Sequence, residues 1–307
     1  MQPIIKLIVM EHHHHHHHTA PAQSLNGIFI LSIILNGLFV LIEAGVGLWQ
    51  DSLSLLSDAG HNLSDVFSLV LVLIAFRLAK VQRNERFTYG YRKSTILISL
   101  LNAVILLVAV GAIVIESIHK FSAPTEVNGI AVSWTAGVGI LINGATVLLL
   151  MRSQKNDLNV RGAFLHMAAD TLVSVGVVIS GIVIAYTGWT IIDPIVSLII
   201  AAVILFSTWE LLSDSLRLAV DGIPDGVDIK EIEQMLTAEE HVKNVHHIHV
   251  WAISTTETAL TAHIVLDDLT CWPHVTEHLK HILVEHGITH VTLEPETPDY
   301  HCHHETC

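Results

Sequence analysis

The chain has 307 residues, of which 51% are hydrophobic and only 14% are charged, and its formal net charge is −14. Soluble domains average about 25% charged residues, and the mean hydropathy here is +0.56. The composition excludes an ordinary soluble globular protein, and the acidic balance excludes nucleic acid as a partner.

The N-terminal segment, residues 1–24, contains an unbroken histidine run from His12 to His18. Such a run is compatible with an expression tag or with a native histidine-rich tail. No linker or protease site follows it, which favours a native tail. We assign it no role in the sites described below.

Six apolar stretches follow, and each approaches or exceeds the length of about 20 residues that spans a bilayer. They cover residues 27–49, 53–78, 94–118, 128–151, 162–187 and 190–213. We therefore predict a membrane domain of six transmembrane helices over residues 25–213, with the lipid bilayer as its surroundings.

Basic residues between these stretches indicate the orientation, because cytoplasmic loops of membrane proteins are enriched in Lys and Arg. The second-to-third and fourth-to-fifth links contain nine of them, whereas the other three links contain only Lys120. The nine are Arg77, Lys80, Arg83, Arg86, Arg92, Lys93, Arg152, Lys155 and Arg161. This asymmetry predicts that both termini are cytoplasmic.

Two histidine–aspartate pairs interrupt the second and fifth stretches at the same spacing, His61 with Asp65 and His166 with Asp170. Four residues is just over one helical turn, so each pair lies on one helix face. Ionisable side chains within a bilayer cost at least about 2.5 kcal/mol each, which requires compensation. Two imidazoles and two carboxylates form a tetrahedral zinc shell, and a divalent cation neutralises the carboxylates. The pairs predict an intramembrane metal site.

Asp58 and Glu43, two of the other acidic residues in the apolar stretches, are candidates for a proton path. Asp58 precedes His61 by three residues and therefore shares its face, as a proton relay or as a structural hydrogen-bonding group. Glu43 and Asn36 are seven residues apart, so they lie on the same face of the first helix. We interpret them as polar contacts between helices, and Glu43 alternatively as part of an ion or proton path.

Residues 214–297 form a different kind of domain, polar and acidic. From residue 214 to the end, the chain has 4 basic and 17 acidic residues, so 4 − 17 gives −13 of the total of −14. The patterns predict helices near 228–238 and 274–286 and strands near 244–253, 258–266 and 289–294. This is a small α/β domain with one modest core, which association with a second copy would help. Its cytoplasmic location keeps its cysteines reduced.

The last segment, residues 298–307, is rich in soft and borderline metal ligands. These are His301, Cys302, His303, His304 and Cys307. Such clusters bind zinc or copper readily, so we expect a metal-capturing tail. We interpret Cys271, in the preceding domain, as a structural thiol.

Taken together, these residues resemble the cation diffusion facilitator family. The similarity covers residues 25–297 and is carried by SLLSDAGHNLSD at 54–65, YGYRK at 89–93, HMAAD at 166–170 and HVW at 249–251. The resemblance implies a homodimeric, proton-coupled exporter of divalent metal in a bacterial inner membrane, with a metallochaperone-like cytoplasmic domain. It identifies His61, Asp65, His166 and Asp170 as the transport site. Two histidines there imply the zinc branch, with zinc also as the regulatory metal and no organic cofactor.

By the same resemblance, a regulatory zinc site in the cytoplasmic domain falls on His246, His263, His274 and Glu296. Strand alternation predicts His247 and His249 on the opposite face from His246, so that these three do not form one ligand stripe. The alternative is that these are surface histidines of an acidic domain.

The expected mechanism is alternating access, in which the second and fifth helices form the site at mid-membrane and outside protons displace zinc from the histidines. Two other classes compete. An intramembrane metalloprotease would need a general base, as in His-Glu-x-x-His, and the sequence contains no such motif. A zinc sensor, or a non-transporting subunit of a heterodimer, would be expected to have a broken site. We therefore expect a transporter and not an enzyme.

Overall fold

Six long helices form the N-terminal part of the computed structural model, in which residues 22–49, 53–122, 129–189 and 191–300 are described. They are α1 (Ala22–Trp49), α2 (Leu53–Ala79), α3 (Ser94–Ser122), α4 (Gly129–Leu150), α5 (Leu158–Thr187) and α6 (Ile192–Ala219). At about 1.5 Å per residue, each exceeds the roughly 30 Å hydrocarbon core of a bilayer. The helices lie where the apolar stretches predict them, and α6 continues beyond residue 213.

The surface of this helical part is strongly apolar. In the described part of the chain, three helices contain windows long and apolar enough to cross a membrane, Gly27–Val46, Ser94–His119 and Pro194–Ala219. Leu41, Leu141 and Phe206 are each more than 70% exposed. Side chains of this size are not left on a water-facing surface in such numbers, so they face lipid. The predicted membrane domain is confirmed.

Helix pairing positions the intramembrane residues. α1 packs on α2, α3 on α6 and α4 on α5, and α2 also contacts α5. Phe29, Leu69, Leu150 and Met167 are fully buried where α1, α2, α4 and α5 meet. The α2–α5 contact brings the two histidine–aspartate helices side by side.

The cytoplasmic domain is a three-stranded sheet with two helices. Its elements are α7 (Ile229–Thr237), β1 (Val242–Ala252), β2 (Thr258–Leu266), α8 (Trp272–Glu285) and β3 (Ile288–Glu296). β1 pairs antiparallel with β2, and β2 pairs parallel with β3. Leu236, Leu260, Ile264 and Leu279 lie at the centre of its core. The predicted α/β domain is confirmed.

The loop between β1 and β2, residues 253–257, attaches this domain to the link between α2 and α3, to the start of α3 and to the link between α4 and α5. The hydroxyl of Thr255 donates to Asp157 Oδ2 at 2.9 Å, and its backbone N–H donates to Thr95 Oγ1 at 3.1 Å. Arg92 and Glu257 form an ion pair at 2.8 Å, and Lys93 pairs with Asp221. We call residues 253–257 the docking loop.

Candidate functional site: an intramembrane metal centre

The α2–α5 contact brings three predicted ligands together. Nε2 of His166 lies 2.6 Å from Oδ1 of Asp65, and ligand atoms of Asp65, His166 and Asp170 all lie within 4.8 Å of one another. His166 and Asp170 come from successive turns of α5, as their spacing predicts. Asp65 comes from α2, so the site lies between two helices.

The fourth predicted ligand, His61, lies in α2, one turn before Asp65. Its side chain, like that of Asp58, is outside the described residues. The backbone spacing puts His61 and Asp65 on the same helix face.

The site is shielded from solvent. Asp65 is 0% exposed and His166 is 6% exposed, while Asp170 is partly buried. Two carboxylates this close, in a poorly solvated place, require positive charge or protons to balance them. A divalent cation supplies that balance, and imidazole nitrogen with carboxylate oxygen is a donor set that zinc accepts.

Glu43 of α1 contacts the helix that carries His61 and Asp65. It is 3% exposed, and its Oε2 accepts a hydrogen bond of 2.8 Å from Nδ2 of Asn62, the residue that follows His61. This bond joins α1 to α2, as the interpretation of Glu43 as a contact between helices predicts. Sequence reasoning missed Asn62, because nothing in the sequence pairs it with Glu43. We interpret Asn36 in the same way as Glu43. Its side-chain amide donates to Thr146 Oγ1 of α4 at 3.3 Å, so this bond joins α1 to α4.

A second group of predicted ligands meets in the cytoplasmic domain. Nδ1 of His263 lies 2.6 Å from Oε1 of Glu296, and Nε2 of His246 lies 3.2 Å from Oε2 of the same carboxylate. Ligand atoms of the three residues lie within 4.8 Å of one another. His274, the fourth predicted ligand, is exposed on α8. In the described part of the chain it is not a member of this group.

The prediction of strict alternation along β1 is wrong at His247. The register with β2 shifts between His246 and His249, and His247 has a φ of 51°. A bulge therefore inserts one extra residue, which sequence alternation alone cannot reveal. The rings of His247 and His263 are 5.1 Å apart, so His247 joins His246 beside His263. Partial burial, and then the imidazoles of His263 and His246, lower the pKa of His247.

The tail ligands His301, Cys302, His303, His304 and Cys307 lie outside the described residues, as does the histidine run of His12 to His18.

Comparison with known proteins supports a single interpretation of the chain. Residues 29–218 match the family described as the cation efflux transmembrane domain, and residues 224–297 match the cation efflux protein cytoplasmic domain.

Its curated relatives are named as metal transporters. A cadmium, cobalt and zinc/H(+)-K(+) antiporter of Bacillus subtilis is 35% identical over 275 residues, 88% of each chain. The metal cation efflux system protein CzcD of Cupriavidus metallidurans is 34% identical, over 87% of this chain and 85% of its own. The zinc transporter ZitB of Escherichia coli is 35% identical, over 88% and 86%.

Both domain matches follow the order of the two folded parts, and the relatives are aligned over most of their length. The expectation of a membrane transporter, and not an enzyme, is confirmed by these matches. The chain belongs to the cation efflux family, the cation diffusion facilitators, in their zinc-transporting branch.

Proposed function

We propose that this protein exports zinc from the cytoplasm in exchange for protons, using His61, Asp65, His166 and Asp170 as its transport site. The observation that carries the proposal is the convergence of Asp65, His166 and Asp170, with ligand atoms within 4.8 Å, between two membrane helices. Relatives named for zinc, cadmium and cobalt support the same class of cargo.

The contact between His166 and Asp65 supports competition between protons and metal. Two lone pairs cannot approach to 2.6 Å without a proton between them, so this contact is a hydrogen bond that holds a proton. Zinc requires the same nitrogen and oxygen lone pairs. Zinc and that proton therefore exclude each other from these two atoms, and an imidazolium with both ring nitrogens protonated cannot bind zinc.

Alternating access follows from the location of the ligands on two helices. α2 carries His61 and Asp65, and α5 carries His166 and Asp170. A movement of one helix pair against the other opens the site to the cytoplasm or to the outside without dismantling either half-site. We infer that both termini are cytoplasmic and that the protein lies in a bacterial inner membrane, as the basic links and the bacterial relatives favour.

We also infer a homodimer that is regulated by cytoplasmic zinc. The cytoplasmic part matches a dimerisation-type domain of the family. His246, His263 and Glu296 supply three ligands, and we infer that the exposed His274 supplies a further ligand from the second subunit. Zinc here neutralises part of the acidic charge that separates the two copies. We assign the Cys/His-rich tail to metal capture.

The test is zinc flux into proteoliposomes that contain the full chain and a zinc indicator in the lumen. An acidic lumen should accelerate zinc entry, whereas a potassium gradient without a pH gradient should not. Flux driven only by potassium would contradict proton coupling. The absence of zinc flux under either gradient, from folded protein, would favour the non-transporting sensor or subunit.

A further inference from the structure

A third group of metal-ligating side chains lies in the cytoplasmic domain, away from both sites described above. It consists of His241 just before β1, Asp267 just after β2 and Cys271 just before α8. Ligand atoms of the three lie within 4.8 Å of one another, and Nδ1 of His241 is 3.2 Å from Oδ1 of Asp267. We propose that these residues form a separate binding site for a soft or borderline metal ion, cadmium or zinc.

The backbone holds these ligands in place before any ion arrives. The N–H of Asp267 donates to the carbonyl oxygen of His241 at 3.1 Å, which fixes the two residues side by side. His241 has a φ of 72°, the left-handed region that a non-glycine residue rarely adopts. The residue that follows it, Val242, is held by its pairing with Leu266 of β2.

The turn that carries Cys271 is also ordered by its own contacts. Oδ1 of Asp268 accepts from the N–H of Thr270 at 2.9 Å, and its Oδ2 accepts from the Thr270 hydroxyl at 2.6 Å. The thiol of Cys271 lies 2.7 Å from the carbonyl oxygen of Asp268 and is partly buried. A preorganised set of ligands loses little conformational entropy on binding.

The donor types determine which ions the site prefers. A thiolate is a soft ligand, whereas the transport site and the His246 group contain only nitrogen and oxygen donors. The site should therefore favour cadmium or zinc over manganese or magnesium. It contains the one cysteine among the described residues, and a reducing cytoplasm keeps that thiol available.

Lys243 is a local competitor. Its Nζ lies 3.6 Å from Oδ2 of Asp267. The lysine therefore competes with a metal ion for the negative charge of this carboxylate. The side chain of Lys243 is 60% exposed and can turn away into water. Removal of this positive charge should raise the affinity for the metal ion. A loss of structure would lower that affinity instead.

The experiment uses full-length protein in detergent, with Cys302→Ser and Cys307→Ser, so that Cys271 is the only thiol. Cadmium is added and the ultraviolet thiolate-to-cadmium charge-transfer band is measured, because ions at the other two sites have no sulfur ligand. We expect one band that Cys271→Ser abolishes. His241→Ala and Asp267→Asn should weaken cadmium binding by about tenfold or more. Lys243→Ala should strengthen it, and the exposed-histidine control His281→Ala should leave it unchanged.

Absence of the band at stoichiometric cadmium would overturn the proposal. A band that His241→Ala and Asp267→Asn leave unchanged would also overturn it, because cadmium would then be bound by a lone thiol. Zinc, which gives no such band, should displace cadmium from the site. Each variant is checked for native secondary structure, and the opposite effect of Lys243→Ala separates metal binding from loss of folding.

Discussion

Thr255 in the docking loop ties the cytoplasmic domain to the helix that carries half of the proposed transport site. Its hydroxyl donates to Asp157 Oδ2 at 2.9 Å. Asp157 in turn caps α5, because its Oδ1 accepts from the N–H groups of Asn159 and Val160 at 2.7 and 3.3 Å. His166 lies about two turns further along the same helix. A change at Thr255 therefore tests whether this contact couples the domains.

Thr255→Val keeps the shape of the side chain and removes the hydroxyl, while the backbone bond to Thr95 remains. A hydrogen bond to a charged group contributes about 1.5 to 3 kcal/mol. Its loss should weaken docking of the loop by roughly tenfold to a hundredfold, since about 1.4 kcal/mol corresponds to a factor of ten. Amide hydrogen exchange measured by mass spectrometry should rise correspondingly in residues 253–257.

The matched control is Thr256→Val, the same substitution at the next residue, whose side chain is exposed. It should change exchange in the loop much less than Thr255→Val. Equal exchange in the two variants would refute the assignment of Thr255 as the docking contact. Zinc flux should fall in Thr255→Val if docking is needed for transport.

Four further variants test the pH dependence of stability, the zinc sensor, the metal preference and the proton path. Burial raises the pKa of Asp157 above its ordinary 3.8, so the folded chain holds that proton at a pH where the unfolded chain has lost it. The free energy of unfolding should therefore fall as the pH rises from 3.8 to the raised pKa of Asp157. Asp157→Asn should make the free energy of unfolding depend less on pH in this range, as measured by thermal unfolding. His246→Ala with His263→Ala should raise the cytoplasmic zinc concentration needed for half-maximal flux, and an unchanged dependence would exclude them as the sensor. His61→Asp should admit manganese more readily, measured as competition against zinc uptake. Glu43→Gln keeps an oxygen for Asn62, so the pH dependence of flux should not change; a shift would assign Glu43 to the proton path.

Much of the architecture could be predicted from the sequence because its determinants are local. Apolar runs of membrane-spanning length predict the helices, and the four-residue spacing puts His166 and Asp170 on one face of α5. The strands and helices of the cytoplasmic domain follow from periodicity and from turn signals such as Gly287, which has a φ of +83°.

Contacts between distant segments could not be predicted in the same way. The bulge at His247 depends on how β1 pairs with β2, and an alternating pattern contains no sign of it. The bond between Glu43 and Asn62 and the bond between Thr255 and Asp157 join residues far apart in sequence. The His241, Asp267 and Cys271 group likewise forms only when two strands and a helix come together.

Zinc flux in Asp170→Asn proteoliposomes, under a pH gradient with an acidic lumen, tests whether Asp170 belongs to the transport site. Loss of this carboxylate leaves the zinc site with one excess positive charge in a poorly solvated place, which is costly. Flux should fall to background while the protein still inserts and dimerises, and the exposed control Asp299→Asn should transport normally. Retention of more than half of the wild-type flux by Asp170→Asn would contradict the assignment of the transport site.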